Sequence, residues 1–325
     1  MRVHVLHHAA CFDGVSSCAI FTAFYRRCVS DSAQLSYQPK QHRRGDPYED
    51  SDFWADETAV LDFRYTTRPG LTWYFDHHKS AFQLPGEREH FDASSDDKKF
   101  YDATAPSCTG FIADIARTRF GFDASPHEEL LHWAQLVDSA DFPDAVMPVE
   151  LDAPALRLMT FAEQGLRDAD IIAQFVDDLT HKPLAQVAEA SYVVDALKPV
   201  LQRHEQDIAL IKQRLSIQDG VMEYALLDQP PRAYNKFIAY YHQPKARYLV
   251  GMSVGPEGRL KLSAGYNPWL PNSEREHDLS ELCERFGGGG HPYVGGVTFE
   301  PGCEDAALAA HTWIAEVLRG QRAPG

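Results

Sequence analysis

The 325-residue sequence has 44% hydrophobic and 24% charged residues, a balance that excludes a disordered chain and leaves room for two domains. Lys+Arg 31 against Asp+Glu 47 gives a formal net charge of −16, which argues against a protein that grips long duplex nucleic acid through phosphate neutralisation. The cysteines Cys11, Cys18, Cys28, Cys108, Cys283 and Cys303 form no CxxC pair and read as reduced thiols; with no apolar stretch near about 18 residues, a cytoplasmic protein without a membrane segment is expected.

Residues 3–6 read as a strand ending in His7-His8-Ala9-Ala10-Cys11-Phe12-Asp13-Gly14, and residues 15–25 as the helix after it. An imidazole, a thiol four residues on and a carboxylate six on put metal-binding atoms on one strand-to-helix turn, with Gly14 permitting the bend. Either His7 or His8 can supply the imidazole, and His7 has the spacing to Cys11 and Asp13. After an acidic surface loop over 46–57, residues 60–63 read as a strand carrying Asp62. The next strand, 71–75, runs into Asp76-His77-His78, a carboxylate and two imidazoles suited to a hard divalent metal and to charge on an attacked phosphorus. Adjacent strand residues point to opposite faces, which predicts different tasks for His77 and His78. A polar loop over 86–99 and a helix over 108–119 follow, and then Asp138 and Asp141, alternative carboxylates for the same centre.

Strand-then-helix alternation predicts an α/β domain with a parallel sheet covered on both faces, ligands gathering at the C-terminal strand ends where the strand order reverses. Residues 166–179 and 184–215 read as helical, the second broken near Pro199. Strands over 222–227, 246–254 and 260–266 precede a helix over 279–286 that enters Gly287-Gly288-Gly289-Gly290-His291-Pro292. Successive glycines let backbone N–H groups approach an anion, which points to phosphate. The expected organisation is a metal-binding catalytic domain at 1–165, a helical connector at 166–217 and a smaller α+β substrate-binding domain at 218–325.

In order and spacing, the His7 to Ser17 motif, Asp62, Asp76-His77-His78, Asp138 and the Gly287 to His291 run resemble the DHH phosphoesterase superfamily with its C-terminal DHHA1 domain. That group contains RecJ-like nucleases, oligoribonucleotide and cyclic-dinucleotide phosphodiesterases, and family II inorganic pyrophosphatases. Its first motif reads His, three residues, Asp, one residue, Asp-Gly; here Cys11 stands at the first Asp position. The resemblance implies two Mn²⁺ per chain: His7 and Cys11 on the first, Asp13 on the second, Asp62 on both, and His77 with Asp138 completing the second. It implies catalytic roles for Asp76 and His78, with His78 facing substrate. A thiol is softer than a carboxylate and biases the first site toward Zn²⁺ or Fe²⁺, with Co²⁺ and Mg²⁺ as further alternatives. In the second domain it implies that Gly288, Gly289, Gly290 and His291 close on the substrate phosphate, while Arg247, Ser263 and Asn267 offer further contacts. The expected activity is hydrolysis of short nucleotides, linear dinucleotides or nanoRNA, to mononucleotides. The alternatives are hydrolysis of a nucleoside bisphosphate or another small phosphoanhydride, and a nucleotide-binding sensor that has lost turnover through Cys11. A homodimer is compatible with the sequence.

Overall fold

The chain divides into two units, Met1–Phe142 with Leu151–Lys198, and Pro143–Glu150 with Pro199–Gly325. The structure, a computed structural model, describes residues 1–43, 45–94, 97–164, 166, 168–255 and 258–321. In the first unit, β1 (Arg2–His8), β2 (Gln34–Lys40), β3 (Glu57–Leu61), β4 (Leu71–Asp76) and β5 (Lys99–Tyr101) form a sheet of order β2-β1-β3-β4-β5 in which every pairing is parallel. Val5, Leu6, Val60, Leu61, Trp73, Tyr74 and Phe75 are all fully buried, so neighbouring residues on one strand bury opposite faces, as a doubly covered parallel sheet requires.

The helices of this unit are α1 (Phe12–Cys28), α2 (Glu87–Ala93), α3 (Cys108–Phe120), α4 (Glu128–Asp138) and, beyond α5 (Val146–Glu150) of the second unit, α6 (Pro154–Glu163), α7 (Ala169–His181) and α8 (Leu184–Ala188). Helix α1 is buried almost all round because α3, α4 and α7 pack on it. Phe21 and Phe24 meet Trp73 edge to face at centroid distances of 5.8 and 5.6 Å, contacts worth about 0.5–1.5 kcal/mol each beyond their area. Register fixes what matters for function: His7 lies opposite Leu61 and Leu61 opposite Phe75, so β1, β3 and β4 end together. The strand order reverses at β1, with β2 on one side and β3 on the other, and a crevice forms outside strand ends at such a point.

Helix α9 (Ser191–Arg214) begins in the first unit and ends in the second. The second unit holds β6 (Ser216–Gln218), β7 (Val221–Leu226), β8 (Tyr248–Val254), β9 (Leu260–Tyr266), β10 (Gly289–His291) and β11 (Val294–Phe299) in the order β10-β11-β9-β8-β7-β6, with only β7 and β8 paired in parallel. Its helices are α10 (Ile238–His242), α11 (Leu279–Glu284) and α12 (Glu304–Leu318). Alternation on β9 buries Leu260, Leu262, Ala264 and Tyr266 in one core with Ala307, Ala310 and Ile314 of α12.

Four expectations change. The polar loop over 86–99 contains α2, whose Glu87 carboxylate accepts the backbone N–H groups of Gln83 and Leu84 at 2.8 and 2.9 Å; residues 95 and 96 lie outside the described residues. The helix sought at 166–179 is α7, started by Asp168, whose side chain accepts from Asp170 N at 2.9 Å. Residues 165, the expected domain end, and 167 lie outside the described residues. The helix break expected at Pro199 falls instead between α8 and α9: Pro199 removes one donor without ending α9, and the units divide at that residue, within the segment expected as a connector. The glycine run is partly strand: Gly289–His291 pairs antiparallel with Val294–Gly296 at the sheet edge, and Gly287 and Gly288 lead into it from a turn. Among the described residues no helix is long and apolar enough to cross a membrane.

Candidate metal centre

Three strand ends and two helix ends of the first unit converge on a cluster of metal-binding atoms. Beyond β3 the chain turns at Asp62 in the left-handed region, φ 56°, a conformation that Asp adopts more easily than most residues. The turn leaves the Asp62 carboxylate fully buried, with Oδ2 3.4 Å from His8 Nδ1 and Oδ1 3.5 Å from His77 Nε2. His8, Cys11 and Asp62 form one potential donor set; Asp13, His77 and Asp138 form another, with His77 Nε2 3.3 Å from Asp138 Oδ2 and 3.8 Å from Asp13 Oδ2. Asp62, His77 and His78 form a third set that joins them, so Asp62 stands between the first two.

Each donor is aimed by a local device. Gly14 lets α1 start hard against β1, since a Cβ there would lie 2.5 Å from His8 O. The Asp13 carboxylate accepts Cys108 N at 2.7 Å and Thr109 N at 3.0 Å, and so ties the first motif to the N-terminus of α3. His77 Nδ1 donates to Ala105 O at 2.8 Å, which leaves Nε2 turned to the carboxylates. Asp76 Oδ1 accepts His77 N at 2.9 Å and His78 Nδ1 at 2.7 Å, while its Oδ2 accepts the Tyr74 hydroxyl at 3.1 Å.

The electrostatics favour a cation here. Burial and the Asp62 charge push the Asp13 and Asp138 carboxyls up, whereas at Asp62 the burial penalty is outweighed by His77 and His8, which hold it down. Burial lowers His77, but the surrounding carboxylates, Asp62 foremost, raise it to about 10. His78 likewise rises to about 9 against its burial, through Asp76 and then Asp62. Both Asp62 oxygens, His8 Nδ1 and His77 Nε2 are buried without a hydrogen-bond partner. Buried polar atoms are rarely left so, and four of them around one point, from carboxylates and imidazoles, fit divalent cations.

Several assignments differ from expectation. The donor set with Cys11 and Asp62 holds His8; the buried His7 donates through Nδ1 to His8 O at 3.0 Å, its Nε2 is buried without a hydrogen-bond partner, and burial lowers it to about 4. The reason is the alternation of adjacent strand residues, which spacing along the chain does not reveal. Asp138 enters the cluster and the exposed Asp141 does not. Asp76 belongs to no donor set, its oxygens being engaged by Tyr74, His77 and His78.

In the second unit, Asn267 is fully buried and its amide donates to Pro244 O and Ala246 O at 2.9 Å while its Oδ1 accepts Trp269 N, so it braces a turn instead of offering itself to a ligand. Gly288 and Gly290 are required by strand packing, because a Cβ would fall 2.1 Å from Gly296 O and 2.2 Å from Val294 O respectively; Gly289 faces open space. His291 and Ser263 are exposed, and Arg247 Nη1 bonds Glu276 Oε1 at 3.1 Å. Spacing along the chain favours His7 over His8, and the donor set takes His8.

The strand order and the second mixed-sheet unit match a known fold: the chain has the fold of the DHH–DHHA1 phosphoesterases. Among solved structures it is similar to the pGpG-specific phosphodiesterase PggH from Vibrio cholerae, with 14% identity and a TM-score of 0.69 over 98% of this chain and 100% of that one. It is also similar to the exonuclease RecJ bound to manganese, with 13% identity and a TM-score of 0.51 over 97% of this chain and 90% of that one. No family model and no curated protein matches the sequence.

Proposed function

We propose that this chain is a metal-dependent phosphodiesterase that cuts short nucleotides, linear dinucleotides or nanoRNA, to mononucleotides. The observation that carries the reading is Asp62, a buried carboxylate whose oxygens have no hydrogen-bond partner, set between two donor clusters. His8, Cys11 and Asp62 would hold one divalent cation, and Asp13, His77 and Asp138 the other, with Asp62 in reach of both. Cations in such a pair lower the pKa of water and neutralise charge on the phosphoryl and leaving oxygens.

The chain's own residues do the rest. Asp76 fixes the ring of His78 through Nδ1, which leaves Nε2 to donate a hydrogen bond to a phosphoryl oxygen or a proton to the leaving oxygen. Ala105 O fixes His77 in the same way, and α3 holds Asp13. Acidic net charge favours short substrates over long strands, and the likeness to PggH over the full length of both chains supports a dinucleotide.

The test is incubation of purified protein with Mn²⁺ and a panel of pGpG, pApA, cyclic dinucleotides, a 5-mer RNA, a nucleoside bisphosphate and pyrophosphate, with His77→Ala as control. Turnover of the linear dinucleotides or the 5-mer, lost in His77→Ala, is expected. Tight nucleotide binding with no turnover of any member would replace the reading by a sensor, and cleavage of the bisphosphate or pyrophosphate alone by a phosphohydrolase of small anhydrides or monoesters.

A further inference from the structure

Residue His42 enters none of the donor sets, yet it lies at their edge. Strand β2 runs parallel to β1 with Lys40 opposite His8, so the chain leaving β2 emerges at the strand ends where the centre sits. Two residues on, the His42 ring meets the His8 ring edge to face at a centroid distance of 4.8 Å and lies on Phe63 at 4.7 Å with 33° between the planes. Phe63 is buried to 1% exposure and gives that ring a rigid seat. The chain of rings continues from His8 to His78, centroids 5.8 Å apart.

His42 itself is exposed, and no protein group hydrogen-bonds either of its ring nitrogens among the described residues. An imidazole packed against two rings with a free N–H, next to a potential metal ligand, is placed for something that arrives from solvent.

The segment carrying it is held from below. Arg64 is 2% exposed, two residues after Asp62 and next to Phe63, and its Nη1 donates to Arg43 O at 3.2 Å and Gly45 O at 2.9 Å. The Tyr48 hydroxyl in turn donates to Arg64 O. The turn that aims Asp62 into the centre is thereby continuous with the Phe63 seat and with the arginine that grips either side of position 44. A buried guanidinium bonded to two backbone carbonyls is a costly device for a surface loop, and its effect is to fix where His42 stands.

We propose that His42 is a substrate-binding residue that donates a hydrogen bond to a phosphoryl oxygen of a nucleotide seated on the His8, Cys11 and Asp62 side of the centre, and that Arg64 is its positioning residue. This rests on the phosphodiesterase reading, but the contact is made with bound phosphate whether or not it is cleaved. His42→Ala is expected to raise KM for pGpG about tenfold with kcat changed less than threefold, the loss of one hydrogen bond to a charged group. His42→Asn, which keeps a donor on a short planar side chain, is expected to recover part of that rise. Arg64→Lys cannot hold both carbonyls and is expected to raise KM similarly, with the Arg64→Lys/His42→Ala double variant no worse than either single one.

Three readouts keep the outcomes apart. Metal content by mass spectrometry is expected to be unchanged in His42→Ala; loss of metal would make His42 a ligand and overturn the proposal. A KM within twofold of the parent would overturn it as well, as would additive effects of the two substitutions for the role of Arg64. Calorimetric binding of a non-hydrolysable phosphorothioate dinucleotide reads the His42 contact without turnover. If the parent protein cleaves nothing, the phosphodiesterase reading fails alone, and a tenfold weaker dinucleotide affinity in His42→Ala still upholds the contact.

Discussion

At the scale of single residues, the Asp76-His77-His78 triplet divides into three tasks. His77 turns Nε2 to three carboxylates, His78 is held by Asp76, and Asp76 itself belongs to no donor set, its oxygens being taken by Tyr74, His77 and His78. Substitution of Asp76 by Asn therefore separates orientation from ligation. The expected result is a fall in kcat of about 10–100-fold with metal content retained, the usual cost of removing an outer partner of a metal-site histidine. Metal loss in step with activity, measured on the same preparation, would make Asp76 a ligand instead. The triplet was fully legible as sequence. Which neighbour of the first-motif pair meets Cys11 was not, because spacing favoured His7 and the pleat of β1 turned His8 to Asp62.

At the scale of elements, hydrogen-bonded polar groups hold strands and turns in place, and two of them give measurable consequences. Glu57 at the start of β3 accepts the Tyr25 hydroxyl and Trp73 Nε1, each at 2.7 Å, and Lys98 Nζ at 3.0 Å. Burial would raise its carboxyl, but these donors win and hold it below its ordinary value of 4.5. A depressed folded-state pKa adds stability that is complete above the unfolded value and fades as pH falls below it. Glu57→Gln is thus expected to cost about 1–3 kcal/mol at pH 7 and to flatten the loss of stability below about pH 4.5, as read by urea denaturation across pH. In the second unit, Asn267→Ala removes three hydrogen bonds from a buried turn. It should destabilise that unit by about 1–3 kcal/mol in denaturation while leaving KM for pGpG within twofold; a selective rise in KM at unchanged stability would return Asn267 to substrate binding. The elements themselves were unevenly legible. The apolar runs of β1, β3 and β4 announced themselves, whereas β2, with Gln34, Ser36 and Gln38, and the three-residue β5 carry too little pattern to be read without their neighbours.

At the scale of the whole molecule, a net charge of −16 and a buried knot of carboxylates make the metal-free state electrostatically unfavourable in one place. Binding of a cation to the folded chain alone stabilises it by about 2.7 kcal/mol at a hundredfold excess over Kd. Chelation with EDTA is expected to lower the first thermal transition by several degrees and Mn²⁺ to restore it, with no such response in His77→Ala; an unchanged transition would contradict a cation at this centre. The sequence by itself determined the order of motifs, the alternating α/β half and the kinds of donor atom, because hydrophobic period and residue chemistry are local properties of the chain. The tertiary structure alone decided that Asp62 lies between two donor sets, that Asp138 and not Asp141 joins them, and that Asn267 is a brace. Those facts depend on strand register and on which way a buried side chain faces, and both are set by contacts between residues far apart in sequence.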